Sequence, residues 1–322
     1  MARARGREED FMQIDGIVPV MLTPMTADDR LDIEGLARLT EWYLDLGSDA
    51  LFAVCQSSEM QHLALDERVT LARAVVAQAR GRVPVLASGH VAAAPDAQAA
   101  ELAALADTGI DVLVLVTNRL DPDNSGTAAF RANLEALLAR LPRDLALGLY
   151  ECPAPFRRLL SDEELAICRD TGRFVVLKDV SCDLATVTRR VALCAGSPLR
   201  IVNANAAIAR AAMRAGSAGF AGVFTNFHPD LYKWLYLHKH RSDALAEDLA
   251  VFLALAANAE SLGYPRLAKI HHSRIGTFAS DHSRVVGADL RARFWALDDI
   301  LAHIETGTAA FRGRIAADAA QG

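Results

Sequence analysis

Phe174-Val175-Val176-Leu177-Lys178-Asp179 is a strand-length apolar run that ends in an amine. A run this short, with no residue set aside to face water, reads as a strand buried on both faces, as in a parallel sheet covered by helices. The amine is unusual for this chain: of 34 basic residues only Lys178, Lys233, Lys239 and Lys269 are lysine, so lysine is not its general surface cation. A guanidinium keeps its proton at any ordinary pH, whereas a partly desolvated lysine sheds it more readily and attacks carbonyl carbons. Lys178 therefore reads either as a Schiff-base lysine or as a strand-end lysine whose stem packs while its head reaches water or pairs with Asp179.

Working outward, the run at 173–178 is one of eight; the others are 16–22, 50–54, 83–87, 112–116, 145–150, 200–203 and 219–223. Between them lie Ala/Leu-rich segments of helical period at 33–46, 66–79, 96–106, 126–141, 162–170, 184–195 and 206–215. Asp32, Asp66, Ser161 with Asp162, and Asp183 stand at their starts as capping residues do. Strict β/α alternation predicts a parallel sheet covered by helices. The first run continues into Leu22-Thr23-Pro24-Met25 with no glycine-rich phosphate loop, so a closed α/β (β/α)8 TIM barrel fits better than an open doubly wound sheet. The expected organisation is a tail at 1–12, the barrel at 13–240, and C-terminal helices packed on the barrel at 241–322, with helical segments at 243–262, 266–275 and 288–304.

Composition narrows the function classes. The 322 residues are 52% hydrophobic and 23% charged, as in a soluble globular chain with ample core. A net charge of -6 and no basic stripe argue against nucleic acid, and Arg157-Arg158 and Arg189-Arg190 read as local charges. Five cysteines, at 55, 152, 168, 182 and 194, show neither a CxxC pair nor zinc-ribbon spacing, which predicts free thiols in a reducing compartment. The charged N-terminus has no apolar stretch behind it, and no run reaches the roughly 18 apolar residues of a membrane span, so a cytoplasmic location is expected. His238-Lys239-His240, His271-His272 and His282 lack partners at ligand spacing, and no metal site is expected.

Catalytic groups of such a barrel sit at the carboxyl ends of its strands. Those ends are Cys55-Gln56-Ser57-Ser58-Glu59, Tyr150-Glu151-Cys152-Pro153, Lys178-Asp179, Asn203 to Asn205, and Phe224-Thr225-Asn226. Parallel neighbours lie about 4.8 Å apart, so the Tyr150 phenol and the Lys178 amine can converge on one small ligand. Tyr150 shares its face with Ala146 and Gly148, small residues suited to a crowded barrel interior. Alone, Tyr150 reads equally as a strand-end tyrosine bonded to backbone.

From about residue 16 to 276 the chain resembles the dihydrodipicolinate synthase and N-acetylneuraminate lyase family, the pyruvate-type class I aldolases. Its opening strand with Thr-Pro is echoed by Gly16-Ile17-Val18-Pro19 and Thr23-Pro24. Its YNVP element is similar to Tyr150-Glu151-Cys152-Pro153, its lysine strand to Leu177-Lys178-Asp179-Val180-Ser181-Cys182-Asp183, and its AN-x-x-P to Thr225-Asn226-Phe227-His228-Pro229. The resemblance implies that Lys178 forms a covalent imine with a 2-oxo acid, with no other cofactor, and that Tyr150 shuttles protons. It aligns Gln56, Ser57 and Ser58 with the loop that holds the substrate carboxylate, and Asn205 stands at the neighbouring strand end. It also implies a homo-oligomer, tetramer or dimer.

Three departures matter. Asn118-Arg119-Leu120-Asp121-Pro122 stands where the true synthase has a tyrosine pair, the synthase's second-substrate arginine falls on Pro155, and Glu151 replaces an asparagine. Arg157 or Arg158 reads either as a substitute for the missing arginine or as an exposed charge at the helix entrance. The expected function is a Schiff-base lyase cleaving or forming a C–C bond of a 2-oxo acid, with pyruvate as product or substrate. A dehydratase of 2-keto-3-deoxy sugar acids, with Glu151 or Ser57 handling water, and a non-catalytic 2-oxo-acid binder are the alternatives.

Overall fold

The computed structural model describes residues 12–320, so residues 1–11 of the expected tail lie outside the described residues. Eight strands, β1 (Gly16–Ile17), β2 (Leu51–Val54), β3 (Val85–Ala87), β4 (Val112–Val116), β5 (Ala146–Tyr150), β6 (Phe174–Asp179), β7 (Arg200–Asn203) and β8 (Gly219–Phe220), follow one another with helices between them. All pairings are parallel, in the order β1-β8-β7-β6-β5-β4-β3-β2. The segment after β1 turns to β2: Phe52 donates to the Pro19 carbonyl at 2.9 Å and Met21 to the Phe52 carbonyl at 3.0 Å. The sheet thus curls back toward its first strand, as the alternation predicts for a (β/α)8 barrel.

The run at 16–22, expected as one strand, is divided between two partners. Pro19 lacks an N–H and cannot carry an unbroken ladder, so residues before it pair with β8 and residues after it with β2. The run at 219–223 is also shorter than expected, because Val223–Asn226 winds into a 3-10 turn. The barrel interior is tight around β5. A Cβ on Gly148 would lie 3.0 Å from Val176 and 3.1 Å from Val114, so the small-residue face expected beside Tyr150 is a steric requirement.

Three helix starts follow their expected caps, whereas Asp66 lies inside the first turn of Leu65–Ala79, whose cap position is Ala64. The carboxylates of Asp32 and Asp183 accept the N–H groups of Gly35 and Thr186, and Ser161 with Glu164 forms a capping box. Beyond the helix Pro229–Leu237, Ala244–Ala257 runs into the turn Asn258–Leu262 and packs against the turn Ala206–Ile208, over the carboxyl ends of the strands. The helix expected at 288–304 is instead two. Phe294 is extended and ends Leu290–Arg293, and Leu297–Ala319 continues on a buried stripe of Leu301, Ile304, Thr308 and Phe311. Among the described residues no helix is long and apolar enough to cross a membrane.

β8 reaches β1 only because Gly219 has no side chain: a Cβ there would lie 1.8 Å from the Gly16 carbonyl oxygen. Gly219→Ala must part the two strands, and a loss of at least the roughly 1–3 kcal/mol of an overpacked core is expected in chemical denaturation. An unchanged denaturation midpoint contradicts this closure.

Candidate active site

Backbone register brings Tyr150 and Lys178 together. They are paired residues on β5 and β6, and the Lys178 amine lies 4.3 Å from the centre of the Tyr150 ring. Both side chains point inward and are buried, into a cavity of about 800 Å³ at the carboxyl ends of the strands. Burial lowers the pKa of Lys178 by withdrawing water from its charged form, with Cys55, Cys152, Glu260 and Cys182 pulling the other way. Desolvation likewise holds the Tyr150 phenol well above its usual range, so it stays a proton donor. The edge of Phe52, with ring centres 5.6 Å apart, steadies the phenol.

Asp179 does not pair with the amine. Strand alternation turns Glu151 and Asp179 to the opposite face, where the Arg190 guanidinium, fully buried, bonds both. Glu151 also accepts the N–H groups of Leu160 at 2.8 Å and Val180 at 3.0 Å. Its oxygens are thereby committed outside the cavity, which corrects the reading of Glu151 as a residue that handles water.

The loop after β2 supplies the opposite wall. Gln56 and Ser57 line the cavity, and their N–H groups donate to no oxygen acceptor among the described residues. The Ser57 hydroxyl engages Tyr264. Ser58 faces inward to the loop instead: its hydroxyl accepts from the Cys55 N–H at 2.7 Å and donates to the Cys55 carbonyl at 2.6 Å. Glu59, with φ of 63° and no exposed surface, anchors the loop by an ion pair with Lys269 and by accepting the N–H groups of Arg284 and Val285. Asn205 lines the cavity while its side-chain oxygen caps the turn at Ala207 and Ile208.

Arg157 lies outside the cavity, donating to the Ser181 carbonyl at 2.6 Å, and Arg158 is buried between Asp121 and Glu164. Asn118, at the end of β4, donates to the carbonyls of Cys152, Ala154 and Phe156, fastening the loop that follows Tyr150. Two residues unmarked by the sequence, Tyr264 and Glu260, line the cavity, and Cys152 packs beside it. Tyr264 is held by Asn226 at 3.0 Å, Cys152 touches Gln56 and Gln61, and Glu260 reaches in from the C-terminal helices. Among the described residues no three His, Cys, Asp or Glu side chains are grouped to hold a metal. His271 and His282 instead contact Glu305 and Asp29, and His272 the Asn226 carbonyl.

A parallel α/β barrel with a buried amine and a protonated phenol facing one cavity at its strand ends is a lysine-centred (β/α)8 barrel. The model of the dihydrodipicolinate synthetase family matches residues 13–285, and the chain belongs to that family. It is 30% identical over 222 residues to 4-hydroxy-tetrahydrodipicolinate synthases of Shewanella sp. strain W3-18-1 and Shewanella baltica, covering 68% of this chain and 73% of theirs. Among solved structures, a chloride-inhibited dihydrodipicolinate synthase from Acinetobacter baumannii complexed with pyruvate has the same fold, with a TM-score of 0.77 at 20% identity over 90% of this chain and 99% of that one. A prophage protein of the family from E. coli, in complex with pyruvate, gives 0.79 at 20% identity over 92% of this chain and 98% of that one.

The buried amine carries a stability cost of known sign. Because the pKa of Lys178 is lower folded than unfolded, the unfolded chain binds the extra proton between the two values. The penalty is full below the folded value and gone above the ordinary 10.5. Lys178→Met is therefore expected to be more stable at pH 7 by roughly 0.5–2 kcal/mol, the gain shrinking as pH rises toward that ordinary value. Thermal melts across this range check it, and a gain independent of pH refutes the desolvation cause.

Proposed function

We propose that the chain is a class I lyase that forms an imine between Lys178 and the ketone of a 2-oxo acid and makes or breaks a C–C bond, with pyruvate as substrate or product. The observation that carries this is the desolvated Lys178 amine beside a protonated Tyr150 at the cavity floor. The neutral amine adds to C2, and Tyr150 protonates the carbinolamine hydroxyl, which leaves as water. In cleavage, the C4 hydroxyl gives its proton to the Tyr150 phenolate left by carbinolamine collapse and forms the aldehyde carbonyl. The C3–C4 electron pair flows into the iminium to give an enamine. Protonation at C3 and hydrolysis then free pyruvate and the lysine.

The Gln56 N–H group, and the Ser57 N–H group that otherwise meets the Cys55 thiol, are suited to the substrate carboxylate, as a small anion nest. The synthase reaction itself is disfavoured by two features. Asn118 spends its amide on three loop carbonyls where that enzyme has a tyrosine relay, and Arg157 and Arg158 are engaged outside the cavity. The dehydratase alternative keeps Ser57 but loses Glu151 to Arg190.

Borohydride reduction in the presence of pyruvate is expected to add one reduced adduct per chain, on Lys178 alone, by intact-mass and peptide mass spectrometry. Lys178→Ala is expected to give none. No adduct on the native chain with pyruvate or with longer 2-oxo acids ends the imine mechanism. Tyr150→Phe is expected to keep the fold and to slow turnover of a cleavable 2-oxo acid by about 10²- to 10⁴-fold, the usual contribution of a positioned proton donor. Turnover near the native rate removes Tyr150 from the proton path.

A further inference from the structure

In the imine sequence proposed for Lys178, the Tyr150 phenol gives up a proton in one step and regains one in a later step, so a buried phenolate must persist between them. The synthase's tyrosine relay is absent at the end of β4, where Asn118 stands. The group that touches the phenol is the thiol of Cys152, a residue with no exposed surface. Cys152 falls on the valine of the family's YNVP element, so a side chain of similar bulk has gained an S–H. That thiol is fixed from several sides. Its S–H donates to the Gln56 side-chain oxygen at 3.5 Å, the Gln61 amide donates to its sulfur at 3.7 Å, and the Ala154 N–H meets it as well. Asn118 donates to the Cys152 carbonyl at 2.9 Å and so holds the backbone that carries it.

Carboxamides do not titrate at ordinary pH, so among these partners only the phenol responds to the thiol as a second acid. Burial raises the pKa of both groups, and each starts with its proton in place. A thiol is ordinarily the stronger acid of the two, which makes its S–H a good donor to a phenolate. Gln56 offers that S–H a neutral acceptor, whereas a phenolate beside the same sulfur offers a charged one, and the charged bond is the stronger. We propose that Cys152 is a positioning residue for proton transfer: while Tyr150 is deprotonated, the Cys152 S–H turns from Gln56 to the phenolate oxygen and stabilises its charge, serving where the synthase has its tyrosine relay. The S–H bond stays intact throughout, and it turns back to Gln56 once the phenol regains its proton. This rests on the imine reading of Lys178.

The test follows the rate of imine formation from pyruvate by quenched flow, borohydride trapping and intact mass, in the native chain, Cys152→Val and Cys152→Ser. Valine fills the place of the thiol without a donor, and serine restores one. Cys152→Val is expected to slow imine formation at saturating pyruvate by about tenfold or more, the scale of one hydrogen bond to a charged group, with the half-saturating concentration within about twofold of native. Cys152→Ser is expected to bring the rate back to within about threefold of native, since its O–H donates in the same way. A native rate in Cys152→Val, or a serine variant as slow as the valine one, overturns this assignment and leaves the imine standing. So does an effect confined to the half-saturating concentration, which a thiol that only props Gln56 would give. Absence of any adduct on the native chain removes both.

Discussion

One guanidinium sets the site. Tyr150 and Lys178 each precede an acid, and the two-residue period of a strand sends the acids outward when the phenol and amine point in. Arg190, reaching up from the helix Leu184–Leu193, binds both Glu151 and Asp179 and donates to the Leu160 carbonyl at 2.9 Å. It thereby ties the ends of β5 and β6 together just where the register Tyr150↔Lys178 must hold. Three buried charges would each be expensive alone. Removing one member of such a group typically costs about 3–5 kcal/mol, because the others are left uncompensated. The price of the clamp is accepted on the outer face so that the inner face can keep a lone amine with no carboxylate touching it. Had Asp179 paired with Lys178, the amine would have been held protonated and useless as a nucleophile.

A second buried pair fixes the other wall. Glu59 and Lys269 meet where neither has exposed surface, and Glu59 also takes N–H groups from Arg284 and Val285. The loop carrying Gln56 and Ser57 is in this way tied to the C-terminal helices rather than to the barrel alone. Asn226 does the same from below, donating to the Val20 carbonyl and to Tyr264. The C-terminal segment is thus part of the site's frame. It holds the loop that faces the amine, and it lends the cavity Tyr264 and Glu260.

What the sequence made legible follows from which signals are local. Eight apolar runs separated by helical periods lead to a parallel barrel, because strand burial on both faces is written in consecutive residues. Tyr150 and Lys178 were readable as neighbours because both end such runs. Arg190 was not singled out: beside Arg189 it looks like surface charge, and Arg189 does sit at the surface with Asp162. A signal was present, since Arg190 falls three residues after Val187 on the buried face of its helix. Glu151 was misplaced by position along the chain, where it stands next to Tyr150, when the strand period alone sends it to the other side. Glu260 and Tyr264 come from a part of the chain more than eighty residues beyond Lys178, and no local pattern says that this segment folds back over the strand ends.

The departures from the synthase pattern form one connected change. With asparagine at 118, the end of β4 no longer presents a phenol but grips the loop at Cys152, Ala154 and Phe156. That loop in turn carries Pro155 where the synthase has its arginine, and its own Arg158 turns away to Asp121 and Glu164. Among the described residues that line the cavity no lysine or arginine stands beside Lys178, and the wall formed by the C-terminal helices carries Glu260. The barrel floor meets the loop after Tyr150 where the phenol contacts the Cys152 thiol, while Arg190 holds Glu151 and Asp179 on the outer face. The amine with its outer clamp and the loops that line the rest of the cavity are therefore held by separate parts of the fold.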